Sequence, residues 1–261
     1  MNFLPEDRLA RRVTEAGLNG WPALREVVFD GWLLRFADGY TRRTNSVNLM
    51  GTGVLPLNEK VRYCEAVYAL QRLPTIVCVP STADPLLSRV LDERGYHPPE
   101  DESRVLFMDF QEADFQGTPQ LSPDVAVEEG FPGAAWLETV YRLQRLGDRA
   151  RQAHRRILES LSIPAAFVAC RVPDGQIGAL AFGAVHDGLV CVNSVVTDPA
   201  FRRQGLARKA VLAVLAWAYS RCGATGACLS VVADNAPAVA LYEALGFSRE
   251  VYRYHYRRQP G

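Results

Sequence analysis

Two constellations of residues carry chemistry. The first is Arg202-Arg203-Gln204-Gly205-Leu206-Ala207-Arg208, which opens a helix just after an apolar strand ending in Val195-Val196-Thr197. The first N–H groups of a helix have no partner inside it, and the helix dipole adds positive potential there. A phosphate satisfies both. Gly205 lets a bulky diphosphate approach the backbone with no Cβ in its way. Arg202, Arg203 and Arg208 add guanidinium forks that match phosphate oxygens. Taken alone, the pattern also fits a helix start with solvated arginines. The second constellation is the run Asn235 to Phe247. Asn235 suits an N-cap, Pro237 a first turn and Gly246 a left-handed stop. Tyr242 is the odd member, a polar-tipped side chain in mid-helix, where a half-buried packing tyrosine is the plain alternative.

The elements that must position these groups follow from the patterning. A short strand is expected at Val125–Glu129, with helices at Ala134–Leu146 and Asp148–Leu161 broken near Gly147. Strands at Ala165–Cys170, Ile177–Val185 and Leu189–Val196 are joined by the turns Pro173-Asp174-Gly175 and His186-Asp187-Gly188. A helix from about Gly205 to Arg221, a strand at Cys228–Val232, a helix at Ala236–Leu245 and a strand at Glu250–Tyr256 complete a mixed α/β sheet. In the last strand Tyr252, Tyr254 and Tyr256 alternate with Arg253 and His255. The first half repeats the end of this pattern. Asp84 precedes Gly95-Tyr96 by the same spacing by which Asn235 precedes Gly246-Phe247. Apolar strands flank both, Thr75–Val79 and Arg104–Phe110 in the first case, and Asn45-Ser46-Val47 parallels Asn193-Ser194-Val195. Gln111 to Pro123, rich in Gly and Pro, reads as a linker.

R-R-Q-G-L-A at 202–207 followed by N-x-x-A-x-x-L-Y-x-x-x-G-F at 235–247 resembles the GNAT superfamily of N-acetyltransferases. The whole second half fits, including the three-stranded meander before the loop. Gly31 to Val47 is similar to a bacterial subgroup with tandem domains. The resemblance implies two GNAT-like mixed-sheet domains in tandem: a degenerate one over 1–112, a linker over 113–123 and a complete, catalytic one over 124–261. It implies acetyl-CoA as cosubstrate and no metal. By resemblance, the N–H groups of 203–208 hold the diphosphate, Val195–Thr197 pairs with the pantetheine arm, Asn235 helps hold that arm, and Tyr242 faces the thioester sulfur. An amine would then attack the acetyl group directly, and Tyr242 would donate to the departing thiolate. A tyrosine and a thiol differ by roughly 1.5 pKa units, so full transfer is uphill by about 2 kcal/mol in isolation and hydrogen bonding carries much of the effect.

The general base is less legible. An alkylamine is roughly 3.4 units from its free form at neutral pH, a cost of about 4–5 kcal/mol. Glu128, Glu129, His154 and His186 are nominal candidates, each better explained as surface or turn polarity. Leu189–Val196 holds no carboxylate, so a water relay is an alternative. In the first half Leu91 stands where Tyr242 does, and the loop Asn48 to Pro56 has a G-x-G but no arginine. That half is expected to have lost catalysis, bracing the active half or walling the acceptor pocket. Thr41-Arg42-Arg43-Thr44 reads as a solvated hairpin or as an anion contact.

Composition sets the remaining bounds. With 29 basic and 29 acidic side chains the net charge is zero, so no global field favours nucleic acid or an anionic membrane. The six cysteines form no C-x-x-C pair and read as small buried hydrophobes in a reducing cytoplasm. The N-terminus lacks a signal-peptide pattern, and the longest apolar run, Ala210 to Tyr219, is far short of a membrane span. The leading acceptor is a small-molecule primary amine, with a homodimer as an open assembly. A protein or peptide acceptor and a non-catalytic CoA-binding regulatory module are the alternatives.

Overall fold

The computed structural model describes residues 5–117 and 122–260. In chain order the elements are α1 (Pro5–Gly20), β1 (Arg25–Phe29), β2 (Trp32–Phe36), β3 (Val47–Leu49), α2 (Leu57–Leu70), β4 (Ile76–Pro80), α3 (Pro85–Glu93) and β5 (Glu100–Asp109). Then come β6 (Val125–Glu129), α4 (Ala134–Leu143), α5 (Asp148–Glu159), β7 (Ala165–Arg171), β8 (Ile177–His186) and β9 (Leu189–Thr197). A short 3-10 turn, Pro199–Phe201, leads to α6 (Leu206–Cys222), β10 (Gly226–Val232), α7 (Ala236–Glu243) and β11 (Arg249–Arg258). The mixed α/β sheet expected from the patterning is present. Of the expected linker, residues 118–121 lie outside the described residues.

The chain forms two compact units, each drawn from several segments: Met1–Pro22, Leu106–Ser230 and Ala236–Val251 in one, Ala23–Val105, Val231–Asn235 and Tyr252–Gly261 in the other. The units cut across the expected boundaries at 112 and 124.

In the first unit the strand order is β10-β9-β8-β7-β6, with the end of β5 beside β10. β6 to β9 run antiparallel, and β10 lies parallel to β9. Alternation along β8 sorts the helices onto two faces. Gly183 points at Val214 of α6. Its neighbours Phe182 and Ala184 point the other way, where Phe182 meets Trp21 and Trp136 and Ala184 lies by Gly20. The sheet is therefore covered by α6 on one side and by α1 and α4 on the other. The buried side chains of α6 are all apolar, Val211, Val214, Leu215 and Trp217 among them, as this position demands.

The second unit has the order β1-β2-β3-β4-β11. β1 to β3 form an antiparallel meander, β3 and β4 are parallel, and Tyr254–Arg258 of β11 closes antiparallel on Ile76–Pro80. α2 and α3 pack over it, around Trp32, Leu34, Tyr68, Leu87 and Leu91. Meander, helix, parallel strand, helix is the same series as β7 to α7.

Several elements depart from expectation. α4 stops at Leu143 because Arg145 takes a left-handed φ of 53° and Leu146 N–H returns to Tyr141 O at 2.9 Å. α5 and α7 end two residues early. α1 has no counterpart among the expected elements. In β11 the polar alternation breaks at Arg257, which is buried, donates to His97 O at 2.6 Å and pairs with Asp92 at 2.5 Å. The Tyr40–Thr44 loop closes on itself: Asn45 accepts from Ala37 N–H and Gly39 N–H and donates to Tyr40 O and Thr41 O. Arg42 is engaged by Glu100 and Asp101 of β5.

Candidate active site

β9 is built in two parts. Leu189 to Asn193 is buried, whereas Ser194 to Thr197 is only half-buried. Its pairing with β10 covers Leu189–Cys191 against Gly226–Cys228 and goes no further. On the β8 side the register shifts between Leu180 and Phe182, where Ser194 adopts a left-handed φ of 49°. A bulge of this kind bends the strand and re-aims the residues beyond it. Beyond the bulge Val196 and Thr197 pair with Leu180 and Ala179 of β8, and among the described residues Val195, Val196 and Thr197 have no ladder partner on the β10 edge.

The turn from β9 into α6 is anchored by Asp198. Its N–H donates to Gly178 O at 2.9 Å, and its carboxylate accepts from Ala200 N–H at 3.0 Å and from Arg142 Nη1 at 2.8 Å. The Ala200 amide first, then Arg142, hold this carboxyl below the usual carboxylate range. Arg203 and Gly205 both take left-handed φ values, 61° and 77°, and Gly205 caps α6. A Cβ at Gly205 would meet no protein atom, so the backbone conformation rather than crowding within the chain selects glycine. The first α6 bond runs from Lys209 N–H to Gly205 O at 3.0 Å. Among the described residues the amides of Arg203 to Arg208 have no acceptor, and Arg202, Arg203, Gln204 and Arg208 are exposed around them. Leu206 is buried and Ala207 half-buried, which roots the helix start in the core. Open amides, positive dipole and three guanidiniums fit a diphosphate.

Tyr242 lies on α7. This helix is apolar in composition, yet Tyr242 is its one buried residue. The ring packs edge-on against Phe247 at 5.9 Å, and Phe247 N–H closes the helix end on Tyr242 O at 3.0 Å. The Tyr242 hydroxyl makes no hydrogen bond among the described residues, and burial alone pushes its pKa up to about 12. Asn235 precedes the helix, exposed, its N–H on Val232 O at 3.0 Å.

The nominal bases are engaged elsewhere. Glu128 accepts from Gly133 N–H at 2.6 Å, capping α4. Glu129 pairs with Arg221 at 3.4 Å, at the far end of α6, about 24 Å along the axis from Gly205. His154 is fully buried among the rings of Trp21, Trp136 and Tyr141, and burial lowers its pKa to about 4. His186 meets Asn19 Nδ2 at 3.3 Å. Among the described residues no cluster of three His, Cys, Asp or Glu side chains could hold a metal, and no helix is long and apolar enough to cross a membrane.

The counterpart loop in the other unit is filled from within. Asp30 receives Val54 N–H at 2.9 Å and Leu55 N–H at 3.0 Å, just ahead of α2. Its carboxylate also pairs at 3.3 Å with the fully buried Lys60, which lies over the Trp32 ring. Those two amides, with Lys60 behind them, hold Asp30 below the usual carboxylate range. A Cβ on Gly53 would fall 2.2 Å from Asp30 oxygens, so only glycine fits there. Leu91 is core. Neither Asp30 nor Asp198 is singled out by sequence. Asp-Pro at 198–199 is a local capping signal, but nothing local links Asp30 to residues 54 and 55.

Comparison with known proteins places the family and the fold. The chain is 23% identical over 248 residues to the uncharacterized N-acetyltransferase YobR of Bacillus subtilis, covering 95% of this chain and 97% of that protein. Over 83 residues, 32% of this chain and 55% of the other, it is 36% identical to the [ribosomal protein bS18]-alanine N-acetyltransferase of Escherichia coli. A GCN5-related N-acetyltransferase from Kribbella flavida superposes with a TM-score of 0.70 at 21% identity, over 97% of this chain and 96% of that one. A tandem GNAT protein from the clavulanic acid biosynthesis pathway gives 0.65 at 14% identity, over 82% and 74%. At such identities the two structures speak for the fold. Residues 9–257 match the family model described as the probable histone acetyltransferase Rv0428c C-terminal family, and the chain therefore belongs to that family, within the GNAT superfamily of N-acetyltransferases.

Proposed function

We propose that the chain transfers the acetyl group of acetyl-CoA to a primary amine of a small molecule by direct attack. The observation that carries this reading is the run of uncommitted amides from Arg203 to Arg208 at the start of α6. These amides, with Arg202, Arg203 and Arg208, hold the diphosphate. The open edge of Val195–Thr197 takes the pantetheine amides. In the reaction the amine nitrogen bonds to the acetyl carbon, the C–S bond breaks, and its electron pair leaves on sulfur. Tyr242 donates a hydrogen bond to that sulfur. With its pKa at about 12, complete proton transfer to a thiolate of pKa ~8.5 is uphill by roughly 5 kcal/mol, so stabilisation of charge is its main role. The amine loses its proton to water, since the nominal carboxylate and imidazole bases have structural partners. Gly205→Glu tests the reading. A carboxylate at the diphosphate position should abolish acetyl-CoA binding in calorimetry with the fold retained, and binding within about threefold of the parent would refute the loop assignment.

A peptide acceptor is the second reading, favoured by a relative that is named for acetylating a ribosomal-protein alanine. An acceptor panel of amines and peptides followed by free CoA release separates the two. The tandem organisation is part of the same proposal: a degenerate GNAT-like half over 1–112, a linker over 113–123 and an acetyltransferase half over 124–261. It is supported by the repeated meander–helix–strand–helix series and by Asp30 standing where a phosphate would otherwise be received. Six free thiols fit a reducing cytoplasm as the working compartment.

A further inference from the structure

Asp198 poses an electrostatic problem for a diphosphate-binding loop. It puts a nearly buried carboxylate four residues ahead of Arg202, at the root of the turn that presents the open amides. The carboxylate has a structural reason to be there. It accepts from Ala200 N–H at 3.0 Å, and so starts the Pro199–Phe201 turn. Its charge, however, opposes an incoming polyanion. Arg142, in the last turn of α4, reaches across to it with Nη1–Oδ2 at 2.8 Å. Among the described residues Arg142 is the only cation within ion-pair distance of Asp198, and Arg202 acts on the carboxylate more weakly.

We propose that Arg142 and Asp198 act as a positioning pair for acetyl-CoA: Asp198 fixes the turn from β9 to α6, and Arg142 cancels the carboxylate charge at the root of the phosphate-binding loop. Arg142 acts through Asp198 and not on the reacting atoms. The inference rests on the assignment of residues 203–208 to the diphosphate. It separates two roles that one aspartate combines, the cap and the charge, and they can be removed independently. Asparagine keeps a carbonyl oxygen for the Ala200 amide while discarding the charge.

The test is acetyl-CoA calorimetry at low ionic strength on R142A, D198N, R142A/D198N and G205E, with Arg142→Gln as a neutral variant of similar length. R142A and Arg142→Gln should weaken binding by roughly five- to thirtyfold, a deficit that shrinks in about 0.5 M salt. D198N should bind within about threefold of the parent, and R142A/D198N should recover to that range, because the uncompensated charge is gone. A double variant as weak as R142A would make the pair a structural tie and overturn the proposal. So would R142A binding within about threefold while G205E binds nothing. If G205E itself binds like the parent, the loop assignment beneath the proposal has failed. Thermal melts of each variant distinguish weak binding from a reduced folded fraction.

Discussion

In the proposed reaction Tyr242 contributes through one hydroxyl. Its ring is held by Phe247 and its helix by the bonds that end it, so removing the oxygen leaves the packing in place. Tyr242→Phe should therefore lower kcat by about 10²–10⁴-fold, or just below that range, with acetyl-CoA affinity within about threefold. Single-turnover measurements with calorimetry check both numbers, and near-parental turnover with chemistry rate-limiting would leave this residue a packing tyrosine. The tyrosine and the arginine loop are legible in sequence because each sits in a short, local pattern. The helix and its stop glycine, Gly246 with a φ of 101°, fix where the side chain lies. Arg142 and Asp198 are not legible in that way, because the residues that meet are 56 apart and only the fold of α4 over β9 joins them. The same holds for Asp30, whose role depends on a loop 24 residues away.

Comparable elements in the two units have opposite fates. α6 begins with amides that have no acceptor among the described residues; α2 begins behind a carboxylate that has taken the two preceding amides. A phosphate approaching α2 would have to displace Asp30 and strip Lys60 of its charge partner within a buried pocket, which is costly. The chain should accordingly bind one acetyl-CoA. Calorimetric titration should give a stoichiometry near one, and two equivalent sites would contradict it. Sequence patterning captures the strands and helices of the second half to within a few residues because hydrophobic period and turn residues agree there. It passes over α1. There Leu9, Val13 and Ala16 do carry helical spacing, but Arg11, Arg12, Gly17 and Gly20 interrupt the signal. What makes α1 a helix is its burial against β8 and β9, where Val13 and Ala16 are sealed.

At the scale of the whole molecule, stability has a pH dependence that His154 should dominate on the acid side. Its folded pKa of about 4 lies below the ordinary 6.5, so the unfolded chain takes up the proton first as pH falls. The stability tied to the neutral imidazole is whole above the unfolded value and is lost progressively as pH drops toward the folded one. Between neutral pH and about pH 5 the loss is on the order of 2 kcal/mol. His154→Phe keeps a ring among Trp21, Trp136 and Tyr141 and cannot titrate. Urea unfolding near pH 7.5 and pH 5 should show the parent losing about 2 kcal/mol more than the variant, and equal losses would assign the acid sensitivity to other groups.

The composition of the units makes a further demand on the whole chain. The unit that holds the candidate site includes Met1–Pro22 and Leu106–Ser230, so it draws α1 and the end of β5 from before the expected linker. α1 covers one face of β8 and β9: Trp21 contacts Phe182, and Arg12 pairs with Asp187 at 2.8 Å. Phe110 N–H donates to Thr225 O at 3.0 Å beside β10. A fragment of residues 124–261 would thus expose the sheet face that α1 seals and one edge of β10. The other unit loses as much, because Tyr254 to Arg258 of β11 closes on β4. Exposing a sheet face costs several buried side chains at about 1.5–3 kcal/mol each, comparable with the whole stability of a domain. Expressed alone, fragments 1–117 and 122–261 should lack a cooperative thermal transition and near-ultraviolet dichroism. Co-expressed, they should copurify at equal stoichiometry and recover both signals with acetyl-CoA binding. A lone 122–261 fragment that melts cooperatively and binds acetyl-CoA like the full chain would show that α1 and β5 are accessories to this unit, and would return its boundary to the linker.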